Sequence, residues 1–416
     1  MEEKKDLKEV DLSNLITKNE GTAKFLTYRP EDYSDGGKAL KKSMPVFYNP
    51  VQEINRSISN VVYKCFLQIQ SDNPKMIPFS ICDSMAASGI RSIRMAKFLD
   101  PSVNIITNDL NPLALQIIKK NAKLNDISPE RFQLTNEDAI FLFAKMRKNR
   151  NFQTIIDIDP FGTPNVFIDS AIQATRNHGM LAITATDTMV LFGVKPDACF
   201  RKYNTKSLRS TFLKEIGLRI LLYFTAIRAH PHGKHIKPLL SLSFDHYIRV
   251  FVQINRGKEG VKENHKNLGY VLWCPTCDWR QTIDLDITKS QESCPLCHGK
   301  LVFGGPLWIG NLHDKEFVQE CNKALDQSKL TEIPSKKRLQ KVLLAVENED
   351  KFPVGFYDLH KICDKLGISV KKTSIILDNI REAGFQAGLT HIEHRAIKSN
   401  IPIEKLKQIL LLLETH

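Results

Sequence analysis

Several things are missing from this chain of 416 residues, and each absence narrows its class. No apolar run approaches the roughly 20 residues that a helix needs to span a bilayer, so a membrane-spanning protein is not expected. The opening decapeptide, MEEKKDLKEV, is charged from its second residue and lacks the apolar stretch of a signal peptide. The expected location is therefore cytoplasmic. There is no internal repeat. A disulfide framework is not expected either, because a reducing compartment keeps thiols free and four of the nine cysteines fall into two CxxC pairs. The other five, Cys65, Cys82, Cys199, Cys321 and Cys363, stand in apolar surroundings and read as buried, inert thiols. Acidic residues are too few to balance the basic ones: 59 Lys and Arg against 46 Asp and Glu leave a formal net charge of +13. Polyanions are the first partners to consider, although charge alone does not separate RNA from DNA or a membrane surface. No obligate protein partner is evident.

What is present is ordinary globular material, 42% hydrophobic and 25% charged, long enough for two or three domains. From about residue 78, short β-rich runs alternate with longer helical ones, the pattern of a parallel sheet with helices on its faces. The runs are 78–84, 103–110, 132–138, 152–159 and 179–187, and helical periodicity fills the intervals between them. An amphipathic stretch at 207–230 leads into LLSLSFDHYIRVFVQI, which reads as two further strands or one bent one. Residues 256–269 are polar, Gly- and Lys-rich and unpatterned, and the main domain boundary is placed there. The expected organisation is an N-terminal extension (1–50) contributing to the site, an α/β domain (51–255) and a C-terminal region (256–416). The last holds a cysteine module at 270–303 and a helical part at 335–416.

The first strand of the sheet ends in Asp83 and runs through Ala86, Ala87, Ser88 and Gly89 into a helix carrying Arg91 and Arg94. Small residues sit where a backbone must approach a ligand closely. The three glycines of GxGxxG are absent, which weakens a dinucleotide reading and leaves room for a nucleoside without phosphates. Asp109 ends the second strand, 26 positions beyond Asp83, where a carboxylate accepts both ribose hydroxyls. Asp138 and Ala139 end the third, and Asp138 is placed to accept from an adenine amine. Asp109 or Asp138 alone reads equally as a helix N-cap; strand ends in register favour a ligand.

The fourth strand runs into Asp159, Pro160, Phe161 and Gly162. An exocyclic base amine is a poor nucleophile because its lone pair is delocalised into the ring. A catalyst must hold it in line and accept hydrogen bonds from its protons. Asp159 and the Pro160 carbonyl supply acceptors, and Phe161 supplies a stacking face worth ~1–3 kcal/mol per base. Alone, the tetrapeptide also reads as a turn with Phe161 in the core.

DIDPFGTP together with Phe47, Tyr48, Asn49, Pro50, Asn55 and Arg56 resembles the tRNA (guanine-26, N2)-dimethyltransferase family. Glu20 and Gly21 in NEGTAKF, and THIEHRAIKSNIP at 390–402, fit the same pattern, so the resemblance covers nearly the whole chain. It implies a Rossmann-like class I methyltransferase sheet, S-adenosyl-L-methionine as methyl donor and tRNA as partner. It further implies that Arg56, Arg91, Asp109, Asp138 and Ala139 contact the donor, and that Phe47 and Phe161 sandwich the target guanine beside Asp159. By physics alone, Phe47 reads as a core residue and Arg56 as a surface charge on a helix.

Cys274, Cys277, Cys294 and Cys297 form CPTC and CPLC with 16 residues between them, the spacing of a tetrahedral all-cysteine zinc site. Four protein ligands leave no open position for a catalytic water, so the expected zinc is structural. A redox role lacks the thioredoxin-like context. His230, His232 and His235 in HPHGKH read as solvated or phosphate-facing. Further on, a helix, a turn at Gly367 and a second helix bearing Lys371, Lys372 and Arg381 resemble a winged helix or helix-turn-helix. The plain alternative is a helical appendage with a solvated basic face.

Two rival functions remain open from sequence. One is a DNA amino-methyltransferase acting on adenine N6 or cytosine N4, since Asp-Pro-aromatic serves any planar exocyclic amine. The other is a nucleic-acid-binding regulator that senses a nucleoside. A cytosine-5 methyltransferase is disfavoured because that chemistry needs a cysteine nucleophile near the fourth strand, and the nearest later cysteine is Cys199.

Overall fold

The computed structural model describes residues 14–34, 43–244, 246–349 and 351–414; the MEEKKDLKEV segment lies outside them. The chain forms two compact units. The first comprises Met1–Asp159, Ser170–Ala182 and Glu320–Gln340; the second comprises Pro160–Asp169, Ile183–Gln319 and Lys341–His416.

Unit one begins with a hairpin, β1 (Leu15–Glu20) and β2 (Ala23–Tyr28), paired antiparallel from Leu15 opposite Tyr28 to Glu20 opposite Ala23. Its turn needs Gly21. The residue sits at φ +60°, and a Cβ there would stand 2.9 Å from the Glu332 carbonyl oxygen. Helix α1 (Glu53–Ile69) follows, and then the alternation read from sequence. This is β3 (Ser80–Asp83), α2 (Ile90–Phe98), β4 (Asn104–Asn108), α3 (Pro112–Leu124), β5 (Phe132–Thr135), α4 (Ala139–Lys148), β6 (Gln153–Ile158), α5 (Asn165–Ala174) and β7 (Thr175–Ala185).

The strands of this unit lie in the order β5-β4-β3-β6-β7, with the β5–β4, β4–β3 and β3–β6 pairs parallel. Central parallel strands are covered on both faces, so they read as continuous apolar runs. Ile81, Ile105, Ile106, Ile155, Ile156 and Ile158 are accordingly all buried. Gly89 caps α2 at φ +76°, and a Cβ on it would meet Ile118 of α3 at 2.9 Å, so only glycine allows both that backbone and that helix packing.

The division between the units falls within β7. In unit two the strand order is β7-β9-β8, where β8 (Lys234–Phe244) and β9 (Tyr247–Arg256) form an antiparallel hairpin. The apolar run after residue 230 is thus two strands. Preceding them are α6 (Thr188–Leu191), α7 (Pro196–Tyr203) and α8 (Leu213–Ala229). Next comes α9 (Lys258–Lys266), followed by β10 (Leu268–Trp273), β11 (Arg280–Asp284) and β12 (Val302–Trp308) in the sheet order β11-β10-β12. The polar segment read as unpatterned is therefore largely helical. Buried Asn264 holds α9 to β8, its Oδ1 accepting from Ile236 N (2.8 Å) and its Nδ2 donating to Ile236 O (2.9 Å).

The remaining elements are α10 (Lys315–Gln327), α11 (Lys336–Val346), β13 (Tyr357–Asp358), α12 (Leu359–Leu366), α13 (Thr373–Glu382), β14 (Ala387–Leu389), β15 (Ala396–Ser399) and α14 (Ile403–Glu414). The expectation of a helical end was incomplete. Three short antiparallel strands in the order β13-β15-β14 accompany the helices, and Ile362, Ile376, Ile380, Ile397 and Leu406 pack into one core. Gly367 ends α12 at φ +68°, the turn anticipated there.

Candidate functional site

In unit one the carboxyl ends of the parallel strands carry the residues singled out above. Asn108, which sequence reasoning left without a role, ties three of these ends together. Its Nδ2 donates to Ser84 O (3.0 Å) and Glu137 O (2.9 Å), and its Oδ1 accepts from Glu137 N (3.0 Å) and Thr135 Oγ1 (2.9 Å). An asparagine closing a strand was the only available signal. Next to it, Asp109 accepts from Ala87 N (2.7 Å) and Asn111 N (2.8 Å). Burial raises its pKa, and the two amide donors oppose the shift. Ala87, at φ +48°, is thus held where the loop after β3 turns. Asp138 caps α4, accepting from Ile140 N (2.8 Å) and Phe141 N (3.2 Å) through one oxygen, and is exposed; Ala139 behind it is buried. The helix-cap reading therefore describes what the Asp138 side chain does here.

Asp83 is 1% exposed and accepts from Ser92 Oγ (2.5 Å). Burial pushes its pKa up to about 7, with Asp157 and Asp159 adding to the effect and Arg91 and Ser92 opposing it. Arg91, also buried, pairs with Asp157 (3.2 Å) and with Asp159. Burial alone would lower the Arg91 pKa, but the carboxylates of Asp157, Asp159 and Asp83 together raise it and keep the guanidinium charged. Asp159, the proposed acceptor, is thus held by the arginine that the resemblance assigns to the methyl donor.

A second buried cluster surrounds Glu20. Its carboxylate accepts from Arg56 Nε (2.6 Å) and Nη2 (2.5 Å), from Arg94 Nη1 (2.8 Å) and from the Tyr48 hydroxyl (3.1 Å). Burial would raise the Glu20 pKa, but the two arginines bring it down to about 2. Arg56 is therefore no surface charge. It is 5% exposed and also donates to Asn49 O (3.0 Å). Periodicity could not reveal this, because its partner lies 36 residues earlier in the chain. Phe47 is half-buried rather than a core residue. Arg94 reaches further, donating to Ser57 Oγ (2.7 Å) and to Glu332 O (3.2 Å), and Ser335 Oγ donates to Glu53. Beside Arg91, Asn55 is fully buried, and its Nδ2 has no acceptor among the described residues.

In unit two, Phe161 is 57% exposed, which removes the reading of it as a core residue. The turn is fixed at Gly162 (φ +85°), whose N donates to Thr186 Oγ1 (2.8 Å) and whose carbonyl accepts from Thr186 N (2.9 Å). Tyr203 lies 3.0 Å from Thr163 Oγ1 and donates to Asp187 Oδ1 (2.9 Å). His232 pairs with Asp169 (3.2 Å). Lys372 and Arg381 are exposed, and Arg381 pairs with Asp378 (3.1 Å).

The four CxxC cysteines converge, all their sulfurs lying within 4.8 Å of one another. The 3.5 Å separations of Cys274 from Cys297 and of Cys277 from Cys294 are too long for a disulfide and suit four thiolates around one ion. The two knuckles share a backbone. Asp278 N donates to Cys274 O (2.9 Å) and His298 N to Cys294 O (2.9 Å), with Asp278 and His298 both left-handed at φ +70° and +57°. The remaining five cysteines are all buried. A second group, His313, Glu349 and His391, has its side-chain atoms equally close, with His391 Nδ1 2.9 Å from Glu349 Oε1. Ser241 N donates to His313 Nδ1 (3.2 Å), which leaves the proton on Nε2, the nitrogen facing Glu349 (3.7 Å).

Acidic residues at successive strand ends of a parallel sheet, an Asp-Pro-Phe-Gly turn and a small-residue loop together define a Rossmann-like methyltransferase. The chain belongs to the family described as "TRM: N2,N2-dimethylguanosine tRNA methyltransferase", whose model matches residues 24–411. It is 36% identical over 397 residues to a tRNA (guanine(26)-N(2))-dimethyltransferase from Methanothermobacter thermautotrophicus, covering 95% of this chain and 98% of the relative. A tRNA (guanine(26)-N(2)/guanine(27)-N(2))-dimethyltransferase from Aquifex aeolicus is 32% identical over 375 residues, covering 89% of this chain and 90% of the relative. Among solved structures, the complex of Trm1 from Pyrococcus horikoshii with S-adenosyl-L-methionine superposes with a TM-score of 0.79 at 30% identity. It covers 95% of this chain and 100% of that one. No helix among the described residues is long and apolar enough to cross a membrane.

Proposed function

We propose that this protein is an S-adenosylmethionine-dependent enzyme that transfers one or two methyl groups to the exocyclic N2 of guanosine 26 in tRNA. The observation that carries the reading is Asp159, a carboxylate at the end of β6 gripped by a buried arginine and followed two residues later by the exposed ring of Phe161. Asp159 and the Pro160 carbonyl accept from the amine protons and turn its lone pair outward, while Phe161 and Phe47 offer faces on which an unstacked base can lie. When bound, S-adenosylmethionine supplies an activated methyl group. Asp83, Arg91, Asp109, Asp138, Ala139 and Arg56 are the residues proposed to hold it. Ribose hydroxyls suit carboxylate acceptors, and the Asn55 amide nitrogen, buried without an acceptor, suits a ligand oxygen.

We further read Cys274, Cys277, Cys294 and Cys297 as the ligands of a structural Zn²⁺. With β10, β11 and β12 they form a zinc-ribbon-like module, and the part after residue 335 is a winged-helix-like one. The extension 1–50, the methyltransferase domain 51–255 and the C-terminal region 256–416 are the proposed functional divisions, the last gripping tRNA through phosphates and shape in the cytoplasm. The duplex-DNA and sensor readings find no support, since the matched family is one of tRNA methyltransferases.

The test is nucleoside mass spectrometry of unmodified tRNA incubated with the purified protein and methyl donor. N2-methylated guanosine should appear and should vanish in a transcript with adenosine at position 26. Equal product from both transcripts would overturn the positional assignment.

A further inference from the structure

Helix α1 carries Asn55, Ser59 and Tyr63 at four-residue spacing, which puts them on one face. All are fully buried, where an unpaired polar group is costly. Their hydrogen bonds converge on one place. Asn55 Oδ1 accepts from Arg91 Nη1 (3.0 Å), Ser59 Oγ accepts from the same nitrogen (3.1 Å), and the Tyr63 hydroxyl donates to Asp157 Oδ2 (2.6 Å), itself 3.2 Å from Arg91 Nη1. The other arm of the guanidinium, Nη2, donates to Asp159. An arginine has only donors in a rigid planar fork, so two hydrogen-bond acceptors and a carboxylate 3.2 Å away on one arm fix where the other arm points.

We propose that Asn55, Ser59 and Tyr63 of α1, together with Asp157, are positioning residues for methyl transfer: they lock the Arg91 guanidinium, which sets the Asp159 carboxylate at the angle the target amine requires. This rests on the reading of Asp159 given above. Asp157 is fully buried beside Arg91, and a buried ion pair is weak evidence for stability; orienting the fork gives the pair a use. The requirement is geometric. A displacement of about 1 Å at a reacting group costs roughly a hundredfold in rate.

The test uses the full-length protein with Tyr63→Phe and Ser59→Ala, each alone and combined with Asp159→Asn. The readouts are single-turnover methyl transfer to tRNA, dissociation constants for S-adenosylmethionine and tRNA, and the melting temperature. The single variants should transfer methyl roughly ten- to a hundredfold more slowly with the dissociation constant for tRNA unchanged. In the Asp159→Asn background they should cause no further loss, because residues acting through one group are non-additive. Unchanged rates in both single variants, or losses that persist in the Asp159→Asn background, would overturn the proposal. If Tyr63→Phe does not fold, Ser59→Ala, which removes one oxygen, decides alone. A wild-type protein that leaves guanosine 26 unmethylated would instead sink the functional reading.

Discussion

Arg56 grips Glu20 with two nitrogens at 2.6 and 2.5 Å inside the protein, and Arg94 adds a third charged hydrogen bond to the same carboxylate. Replacing Glu20 by Gln leaves the buried Arg56 guanidinium without a counter-charge and Arg94 with only Glu53 at 3.4 Å. The expected loss is about 3–5 kcal/mol in unfolding free energy, measured with urea. The pH dependence has a fixed sign. The carboxyl is near 4.5 when unfolded and about 2 when folded, so its contribution is full above about 4.5 and disappears as pH falls towards 2. The Gln variant should lack that acid-side decline.

Asp83 titrates with the opposite sign. Its folded pKa of about 7 lies above the ordinary aspartate value of 3.8, so its contribution is present in acid and is lost as pH rises through 7. Urea midpoints for wild type and Asp83→Asn should therefore diverge between about pH 4 and 7, the variant gaining. Parallel midpoint curves would show that Asp83 is ionised throughout.

Asp159→Asn keeps the shape of the side chain and removes the charge proposed to accept from the amine. Methyl transfer to tRNA should fall roughly a hundred- to ten-thousandfold, while calorimetric affinity for S-adenosylmethionine stays close to wild type. A variant that keeps its turnover would remove Asp159 from the chemistry.

The four sulfurs predict one tightly held zinc ion per chain by elemental analysis. Stripping it with a chelator, or replacing Cys274 with Ser, should lower the melting temperature, since a site absent from the unfolded chain couples metal affinity to folding. A melt unaffected by metal removal would contradict a structural role.

The features readable in sequence were those encoded over a few residues. Strand ends at Asp83, Asp109 and Asp159, the Asp-Pro-Phe-Gly turn and the CxxC spacing each carry their signal locally. The matches were good because a parallel sheet enforces continuous apolar runs. The features missed depend on partners distant in the chain. Arg56 reads as a surface charge until Glu20 is seen beside it, and the Asn55, Ser59, Tyr63 stripe has no meaning until Arg91 and Asp157 arrive. The strands β13, β14 and β15, two to four residues each, are too short for alternation to register. Asp138 had two readings, and the helix-cap geometry was as visible in the sequence as the ligand one.

The reach of Arg94 to Glu332 has a consequence for synthesis. A polypeptide leaves the ribosome at roughly 5–20 residues per second, so one backbone acceptor of the buried Arg94 guanidinium emerges only after 238 further residues. Until then Arg94 and the Gly21 turn face water where Glu332 will sit. A nascent chain arrested before that point should expose this edge to proteases and chaperones, because unit one includes Glu320–Gln340.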